Sequence, residues 1–268
     1  MSTINQTKDI TILEKRFTEL SKIAYQRDII TFSDFLNLNE QNILHTLPKD
    51  SLYTHVVLFG GYEMSERQIA AFIPDALYLC YKDENNKPNK EMINYPFSAL
   101  EITPVHEKFS EELTHRDYLG AILNLGIDRC KIGDIITNGK SAIMFVHRSM
   151  VDYVLSEFFR VRHTSITLNE LPECNVQYTP SFEIKKGSVA SVRLDTLLAL
   201  AFSSSRSKLT GLIEGGKVFV NGKLITSNGY QPQISDLISV RGLGKFQYYS
   251  IGNKTKKNRI YVELHKFI

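Results

Sequence analysis

The sequence predicts an α+β protein built from three modules, and three observations support this class. The chain has 268 residues, which is more than one average domain needs. Apolar residues recur with helical spacing near the N-terminus and with strand-like alternation further on. Charge is also divided unevenly, because residues 181–268 contain 14 Lys and Arg against 5 Asp and Glu, whereas residues 1–180 contain 18 against 24. The predicted modules cover 1–75, 76–172 and 181–268.

The first module is predicted to be a mixed region that starts with helices. Leu13, Phe17, Leu20 and Ala24 follow one another at three- and four-residue spacing, which is typical of a helix with one apolar stripe. The remaining elements are a helix over 40–47, a buried strand over 53–59 and a short helix over 66–71 with Ser65 as its N-cap.

The second module is predicted to alternate strands and helices. Strands are expected at 76–81, 97–103, 131–137, 141–146 and 164–168, and helices at 114–124 and 149–159. Asn138-Gly139 between two strands indicates a tight hairpin, because such turns need positive φ. The order of elements contains the split β-α-β unit of a ferredoxin-like (RRM-like) domain.

The third module is predicted to contain two short helices followed by a small curved sheet. The helices cover 194–202 and 206–214, and Ser205 can cap the second one. Strands are expected around 218–220, 237–240, 246–251 and 260–264, with a second tight turn at Asn221-Gly222. A polar, basic hairpin tip covers 252–259.

Composition indicates the cellular compartment of the protein and argues against several kinds of site. The apolar fraction of 43% and the charged fraction of 23% are ordinary for a globular protein. Cys80, Cys130 and Cys174 are far apart, which favours a reducing compartment and predicts neither disulfides nor a zinc site. The N-terminus lacks a signal-peptide core and no apolar run reaches about 18 residues. We therefore expect a soluble cytoplasmic protein with no membrane partner, no metal, no cofactor and no small-molecule substrate.

The basic third module is suited to a polyanion. Lys and Arg side chains and the free amides of a helix start bind phosphates, and Arg206 and Lys208 combine both at the second helix. We expect the candidate side chains to form a single face that binds RNA by its shape. They are Arg193, Ser205, Arg206, Lys208, Lys217, Lys223, Arg241 and Lys245. About six phosphate contacts would give a slope of log affinity against log salt near −5.

Several of these residues also allow purely structural interpretations. Arg193 could instead form an ion pair with Asp195 or Glu214. Asn221 and Gly222 are expected to serve as turn residues. Asp195 and Asp236 are expected to orient nearby groups rather than to act as catalysts.

Other motifs point to enzymes but are incomplete. His115-Arg-Asp117 is similar to a kinase catalytic loop, yet position 122 is Ile where that loop requires Asn. We expect this segment to form a capping network at the start of its helix. Arg193-Leu-Asp195 is similar to the catalytic segment of pseudouridine synthases, but it continues directly into the predicted basic helices. No catalytic residue is predicted.

The third module closely resembles the S4 RNA-binding domain of the αL type. The resemblance rests on Ser191–Asp195, Ser203–Lys208, Ile213–Lys223 and Asp236–Lys245. With Gly60–Glu63, Glu66-Arg67, His115–Arg129 and Lys131–Asp134 added, nearly the whole chain resembles the YlmH family of bacterial proteins, which come from the neighbourhood of cell-division genes.

This resemblance implies an RNA-binding middle domain and a role in ribosome-associated quality control. It also implies that the chain binds rRNA and tRNA on large ribosomal subunits obstructed by peptidyl-tRNA. The leading hypothesis is thus a non-catalytic RNA-binding protein whose partners are RNA and the large subunit. An RNA-modifying enzyme with its site around His115, Arg116 and Asp117, and a cell-division adaptor that binds proteins, stay open.

Overall fold

The computed structural model describes residues 3–83, 88–172 and 180–267. The chain forms two compact units, Met1–Gln177 and Tyr178–Ile268. The first unit contains two sheets and the second contains one. The α+β class with its three-module layout is confirmed, while the predicted boundaries at 75, 172 and 181 stay predictions. None of the helices in the described residues is long and apolar enough to cross a bilayer.

The N-terminal part of the first unit is a three-stranded antiparallel sheet with helices. Its elements are α1 (Thr3–Arg27), β1 (Thr31–Leu36), α2 (Leu38–Thr46), β2 (His55–Phe59), β3 (Gln68–Ile73) and α3 (Asp75–Cys80). The strand order β1-β3-β2 places β3 in the centre. Phe17 and Leu20 of α1 pack with Phe72 of β3, so the apolar stripe predicted for α1 faces this sheet.

Two predictions in this part are wrong. Residues 66–71, predicted as a helix, enter the central strand β3, and residues 76–81, predicted as a strand, form α3. Ala70 and Ala71 favour a helix intrinsically. However, β3 is buried on both faces, and a short apolar run without alternation cannot be assigned by periodicity. The strand β1 was not predicted at all.

The middle part of the first unit is a ferredoxin-like domain. Its elements are β4 (Phe97–Pro104), α4 (His115–Leu123), β5 (Ile132–Asn138), β6 (Ser141–His147), α5 (Val151–Glu157), β7 (Arg160–Val161) and β8 (Thr164–Glu170). The strand order is β5-β6-β4-β8-β7, and every neighbouring pair is antiparallel. Without the two-residue β7, this is the split β-α-β arrangement that the sequence predicted. The hairpin at Asn138-Gly139 is also confirmed, since Asn138 pairs with Ser141 and Gly139 has φ +64°.

The second unit is a six-stranded antiparallel sheet with two helices on one face. Its elements are β9 (Phe182–Val189), α6 (Leu194–Ala201), α7 (Arg206–Glu214), β10 (Val218–Val220), β11 (Lys223–Leu224), β12 (Leu237–Val240), β13 (Gly244–Lys254) and β14 (Ile260–Phe267). The order is β11-β10-β12-β13-β14-β9. Leu197 and Leu209 of the helices share a buried core with Val218, Val240 and Phe246 of the sheet.

Two local features of this unit bear on the candidate site. The tight turn at Asn221-Gly222 is confirmed, with φ +48° and +79°. The strand β9, which was not predicted, pairs with β14 from Phe182 opposite Phe267 to Val189 opposite Ile260. The sheet therefore extends beyond the hairpin region in which the sequence analysis placed the basic residues.

Candidate nucleic-acid interface

A buried carboxylate lies between two arginines at the starts of α6 and α7. Arg193 is the N-cap residue of α6, and Asp195 in its first turn is only 4% exposed. Asp195 Oδ1 lies 3.3 Å from Arg193 Nε, and Asp195 Oδ2 accepts a hydrogen bond from Arg206 Nη2 at the start of α7. The side chains of Arg193 and Arg206 keep 42% and 57% of their surface exposed. Asp195 thus anchors two guanidinium groups that still reach solvent.

The two arginines determine the ionisation state of Asp195. Burial alone would raise the pKa of Asp195, but the hydrogen bond and charge of Arg206 and the charge of Arg193 outweigh it, so that the pKa lies below its usual value. The carboxylate is therefore ionised at neutral pH. The ion pair that the sequence allowed for Arg193 is formed with Asp195, whereas Glu214 accepts from Asn228 Nδ2 at 2.8 Å. An arginine has five N–H donors, so one contact with Asp195 leaves others for a phosphate.

The start of α7 adds further groups beside this trio. Ser205 is the N-cap residue, but its hydroxyl lies 3.3 Å from the Ser207 hydroxyl and does not cap the helix. Lys208, in the first turn, is exposed. A helix start with two cations beside its first amides is suited to an anion. We call Arg193, Ser205, Arg206 and Lys208 the helix group.

Three other predicted cations lie on the opposite face of the sheet. Val218 pairs with Val240 in the core under the helices, so the adjacent positions Lys217 and Arg241 point away from α6 and α7. Lys245 has the same orientation because it pairs with Ser239. The Arg241 guanidinium lies 5.4 Å from the Phe219 ring centre, and Lys245 Nζ lies 4.8 Å from the Phe267 ring centre.

The eight candidate residues therefore do not form one face, and that expectation is wrong. Lys223 pairs with Val220 on the edge strand β11, which places it on the helix side of the sheet. Lys217, Arg241 and Lys245 lie on the other side. Counting charges along the sequence could not reveal this, because each strand residue changes face from one position to the next. Whether any of the eight binds RNA stays a prediction.

The acidic and turn residues of the hairpin have the expected structural roles. Asp236 accepts hydrogen bonds from the Gln233 amide and from Asn221 Nδ2, both at 2.8 Å. Asn221 Oδ1 in turn accepts from the Leu237 amide at 2.9 Å. These contacts tie the turn between β10 and β11 to the start of β12.

The His115-Arg116-Asp117 segment starts α4, as predicted. Asp117 Oδ2 accepts from the Thr114 amide at 2.8 Å and from the Thr114 hydroxyl at 2.7 Å, and Asp117 Oδ1 lies 2.8 Å from Arg162 Nε. The hydrogen bonds from Thr114 lower the pKa of Asp117, and the charge of Arg162 adds to this effect. Burial and the charge of Arg129 lower the pKa of His115. Asp117 is thus a helix cap fixed by an ion pair.

Aromatic side chains cover part of the middle sheet on the face turned away from α4 and α5. Phe97 and Phe145 are completely buried there. The ring of Phe35 lies 5.5 Å from that of Phe97, and the ring of Tyr62 lies 5.7 Å from that of Phe145. The N-terminal part of the same unit therefore occupies sheet surface on which an RRM-like domain could stack bases.

A second group of aromatic residues, in the second unit, was not among the residues predicted to bind RNA. Tyr249, His265, Phe182 and Phe267 form a continuous series of ring contacts on the sheet face that α6 and α7 leave open. The alternation of His265 with Phe267 in the last strand was the signal that could have revealed it. Within the described residues, no group of three or more His, Cys, Asp and Glu side chains could hold a metal ion.

Two regions of the chain match family models. Residues 91–175 match the family model described as "Putative RNA-binding domain in YlmH", and residues 192–238 match the S4 domain. The "Ribosome-associated protein quality control protein P2" of Bacillus subtilis (strain 168) is 27% identical over 246 residues, covering 90% of this chain and 89% of that protein. A solved structure, "Cell division protein ylmH from Streptococcus pneumoniae", is 19% identical with a TM-score of 0.46, over 62% of this chain and 92% of that chain. The chain therefore contains the RNA-binding domain described for YlmH and an S4 domain, which supports its assignment to the YlmH family of S4-domain RNA-binding proteins.

Proposed function

We propose that this chain is a non-catalytic RNA-binding protein of ribosome-associated quality control. In this proposal it binds rRNA and tRNA on obstructed large ribosomal subunits, in the cytoplasm. The observation that carries the proposal is the pair Arg193 and Arg206, held by the buried Asp195 next to Lys208. The printed name of the Bacillus subtilis relative supports the ribosomal setting.

The geometry of the helix group favours phosphates as its ligand. Guanidinium groups present planar arrays of donors that match two phosphate oxygens at once. Because Asp195 already restrains both arginines, less side-chain entropy is lost when they bind. Phosphate contacts position a protein without reading sequence. The helix group would therefore recognise the shape of an RNA helix, and the linked first unit would add specificity through simultaneous contacts.

The middle domain supports a binding role rather than a catalytic one. Both oxygens of Asp117 are engaged by Thr114 and Arg162. Lys131 Nζ lies 2.6 Å from Asp34 Oδ1, and Arg129 donates to the carbonyl oxygens of Ile132 and Gly133. In each case the polar side chain holds the fold together. Detection of a modified nucleoside that depends on Asp117, after incubation with rRNA and tRNA, would instead favour an RNA-modifying enzyme.

The experiment must remove the cations without leaving Asp195 buried and unpaired. Truncating Arg193 and Arg206 alone would leave the Asp195 carboxylate buried and unpaired, which would destabilise the folded state. The test variant therefore combines Arg193→Gln, Asp195→Asn, Arg206→Gln and Lys208→Gln. We expect it to leave large subunits in sucrose gradients while staying folded, with a loss of stability of roughly 1 kcal/mol from the removed ion pairs.

The control changes charge elsewhere on the chain. Lys22→Gln with Arg27→Gln removes two exposed cations from α1 and lowers the net charge by the same amount as the test variant. This control should sediment with large subunits like the wild type. If the folded test variant still sediments with large subunits like the wild type, the proposal is wrong. If both variants lose this sedimentation equally, the binding depends on net charge and not on the helix group.

A further inference from the structure

The open face of the second unit carries a continuous series of aromatic rings. The Tyr249 ring stacks on the His265 ring with centroids 3.9 Å apart and planes at 14°. His265 contacts Phe182 at 5.1 Å, and Phe182 contacts Phe267 edge-on at 5.0 Å. We call these four residues the aromatic stack. Its outer member, Tyr249, is 51% exposed, so one ring of the series can accept a further partner.

Positive charge surrounds the aromatic stack. Lys245 Nζ lies over the Phe267 ring at one end of the stack, and Arg241 and Lys217 follow on the same face. Glu263 is the acid on this face of β14, and its carboxylate is engaged by Lys186 and His265, each at 3.0 Å. The hydrogen bonds from His265 and Lys186, and then their charges, keep the pKa of Glu263 below its usual value. A cationic surface around an exposed aromatic ring is complementary to a nucleic acid with unstacked bases.

The strands that carry the aromatic stack lie outside the matched S4 region. That region ends at residue 238, whereas β9, β13 and β14 cover Phe182–Val189, Gly244–Lys254 and Ile260–Phe267. Strand register places these rings on the face opposite α6 and α7. The aromatic stack is therefore a separate surface from the helix group.

We propose that the aromatic stack binds an unpaired nucleotide of RNA, whose base stacks on Tyr249, while Lys245, four positions away along β13, attracts the phosphate of a neighbouring nucleotide. Bases in a duplex are covered by their neighbours, so a lone exposed ring can contact a base face only at a loop, bulge or single-stranded end. This inference rests on the proposed RNA binding but concerns a different face. In this arrangement the second unit contacts paired RNA with one face and an unpaired nucleotide with the other.

Two probes separate the two faces. The first is an RNA hairpin with 2-aminopurine at an unpaired loop position, and the second is a blunt duplex of the same stem without unpaired nucleotides. Wild-type protein should quench the 2-aminopurine fluorescence by stacking. Tyr249→Ala should abolish the quenching and weaken hairpin binding about fivefold to a hundredfold. It should leave binding to the blunt duplex unchanged.

Two matched variants exclude trivial explanations. Tyr249→Phe keeps the ring and should bind both probes like the wild type. Tyr261→Ala removes an equally exposed tyrosine, 49% against 51%, from the same sheet face. Tyr261 does not belong to the aromatic stack, and the register places it two to three positions along β14 beyond the level of Tyr249, so its loss should not affect the hairpin. Thermal unfolding by circular dichroism checks that Tyr249→Ala is folded.

The possible outcomes have distinct meanings. If folded Tyr249→Ala binds and quenches the hairpin like the wild type, the proposal is wrong. If Tyr249→Ala keeps RNA binding but loses a crosslink to a ribosomal protein, the surface docks protein and the proposal is equally wrong. Failure of the helix-group variant to weaken duplex binding would overturn the proposed function instead, because that variant leaves the aromatic stack intact.

Discussion

At the scale of single residues, the main finding is that Asp195 organises the cations around it. An acid inside a basic patch lowers net charge, so simple electrostatics would count it as unfavourable for RNA binding. Its burial and its contacts with Arg193 and Arg206 indicate a different role. It restrains two flexible side chains in one geometry, and it is ionised because they are positive.

The substitution Asp195→Asn tests this role through its dependence on pH. The folded pKa of Asp195 lies below its usual value, so its ion pairs stabilise the folded state above about pH 4, the ordinary pKa of an aspartate. This stabilisation is lost as the pH falls through the folded pKa. At pH 7 the variant should be less stable by roughly 1 kcal/mol, a modest value because both arginines are about half exposed.

The measurement is the midpoint of urea unfolding at neutral and at acidic pH. The difference between wild type and Asp195→Asn should be present at neutral pH and should shrink towards pH 3. Asp9→Asn on α1, an exposed aspartate, should change stability by less than about 0.5 kcal/mol at either pH. A stability difference that grows in acid would show that Asp195 is not stabilised by its arginines.

The candidate site could be predicted from the sequence only in part at this scale. Arg193, Arg206 and Lys208 were identified because the S4 pattern and the helix start are local features. The ion pair of Arg193 with Asp195 was recognised as an alternative. The contact between Asp195 and Arg206 was not, because it depends on how α6 packs against α7 over 11 positions.

At the scale of elements, Arg67 connects the two sheets of the first unit. Arg67 lies just before β3 and is buried. Its Nε donates to the Ile132 carbonyl at 2.9 Å, and its Nη2 donates to those of Phe35 and Arg129 at 2.9 and 3.1 Å. Asp134 of β5 accepts from the Arg67 amide at 3.0 Å. One side chain thus satisfies carbonyl groups of β1, of β5 and of the loop before β5.

Replacing Arg67 by Leu should therefore destabilise the first unit by about 3 kcal/mol, because three carbonyl groups each lose one donor, although Arg129 still donates to that of Ile132. Urea unfolding followed by circular dichroism measures this. Arg16→Leu on α1 is the matched control, since Arg16 pairs with Glu19 at 3.1 Å on the surface and should cost less than about 1 kcal/mol. Equal effects of the two substitutions would mean that the buried contacts of Arg67 contribute nothing.

The elements themselves were predictable where the signal was local. The hairpins at Asn138-Gly139 and Asn221-Gly222 were predicted correctly because the positive φ of Gly139, Asn221 and Gly222 is a local property of each turn. The strand β3 was mistaken for a helix because its pairing with β1 and β2 and the packing of α1 on its face involve segments that are distant in sequence. The strand β9 was missed for a related reason, as its partner β14 lies about 80 positions later.

At the scale of the whole molecule, the uneven charge has a consequence for salt dependence. The two faces of the second unit cannot contact one straight duplex at the same time. A blunt duplex bound at the helix group reaches Arg193, Arg206 and Lys208, with Lys223 on the same side of the sheet. The negative charge of Asp195 offsets one of these four positive charges, so the net charge that faces the duplex is about +3. The structure therefore reduces the number of phosphate contacts available to one duplex from about six to about three.

The slope of log affinity against log salt measures that number directly. For a blunt RNA duplex we expect a slope of about −3, instead of the value near −5 that all the cations together would give. A duplex with a single-stranded extension long enough to reach the opposite face should show a steeper slope, because Lys217, Arg241 and Lys245 then add contacts. Fluorescence anisotropy between about 50 and 200 mM salt determines both slopes. A slope near −5 for the blunt duplex would contradict this division, since it would require a short, straight RNA to contact cations that strand register places on opposite faces.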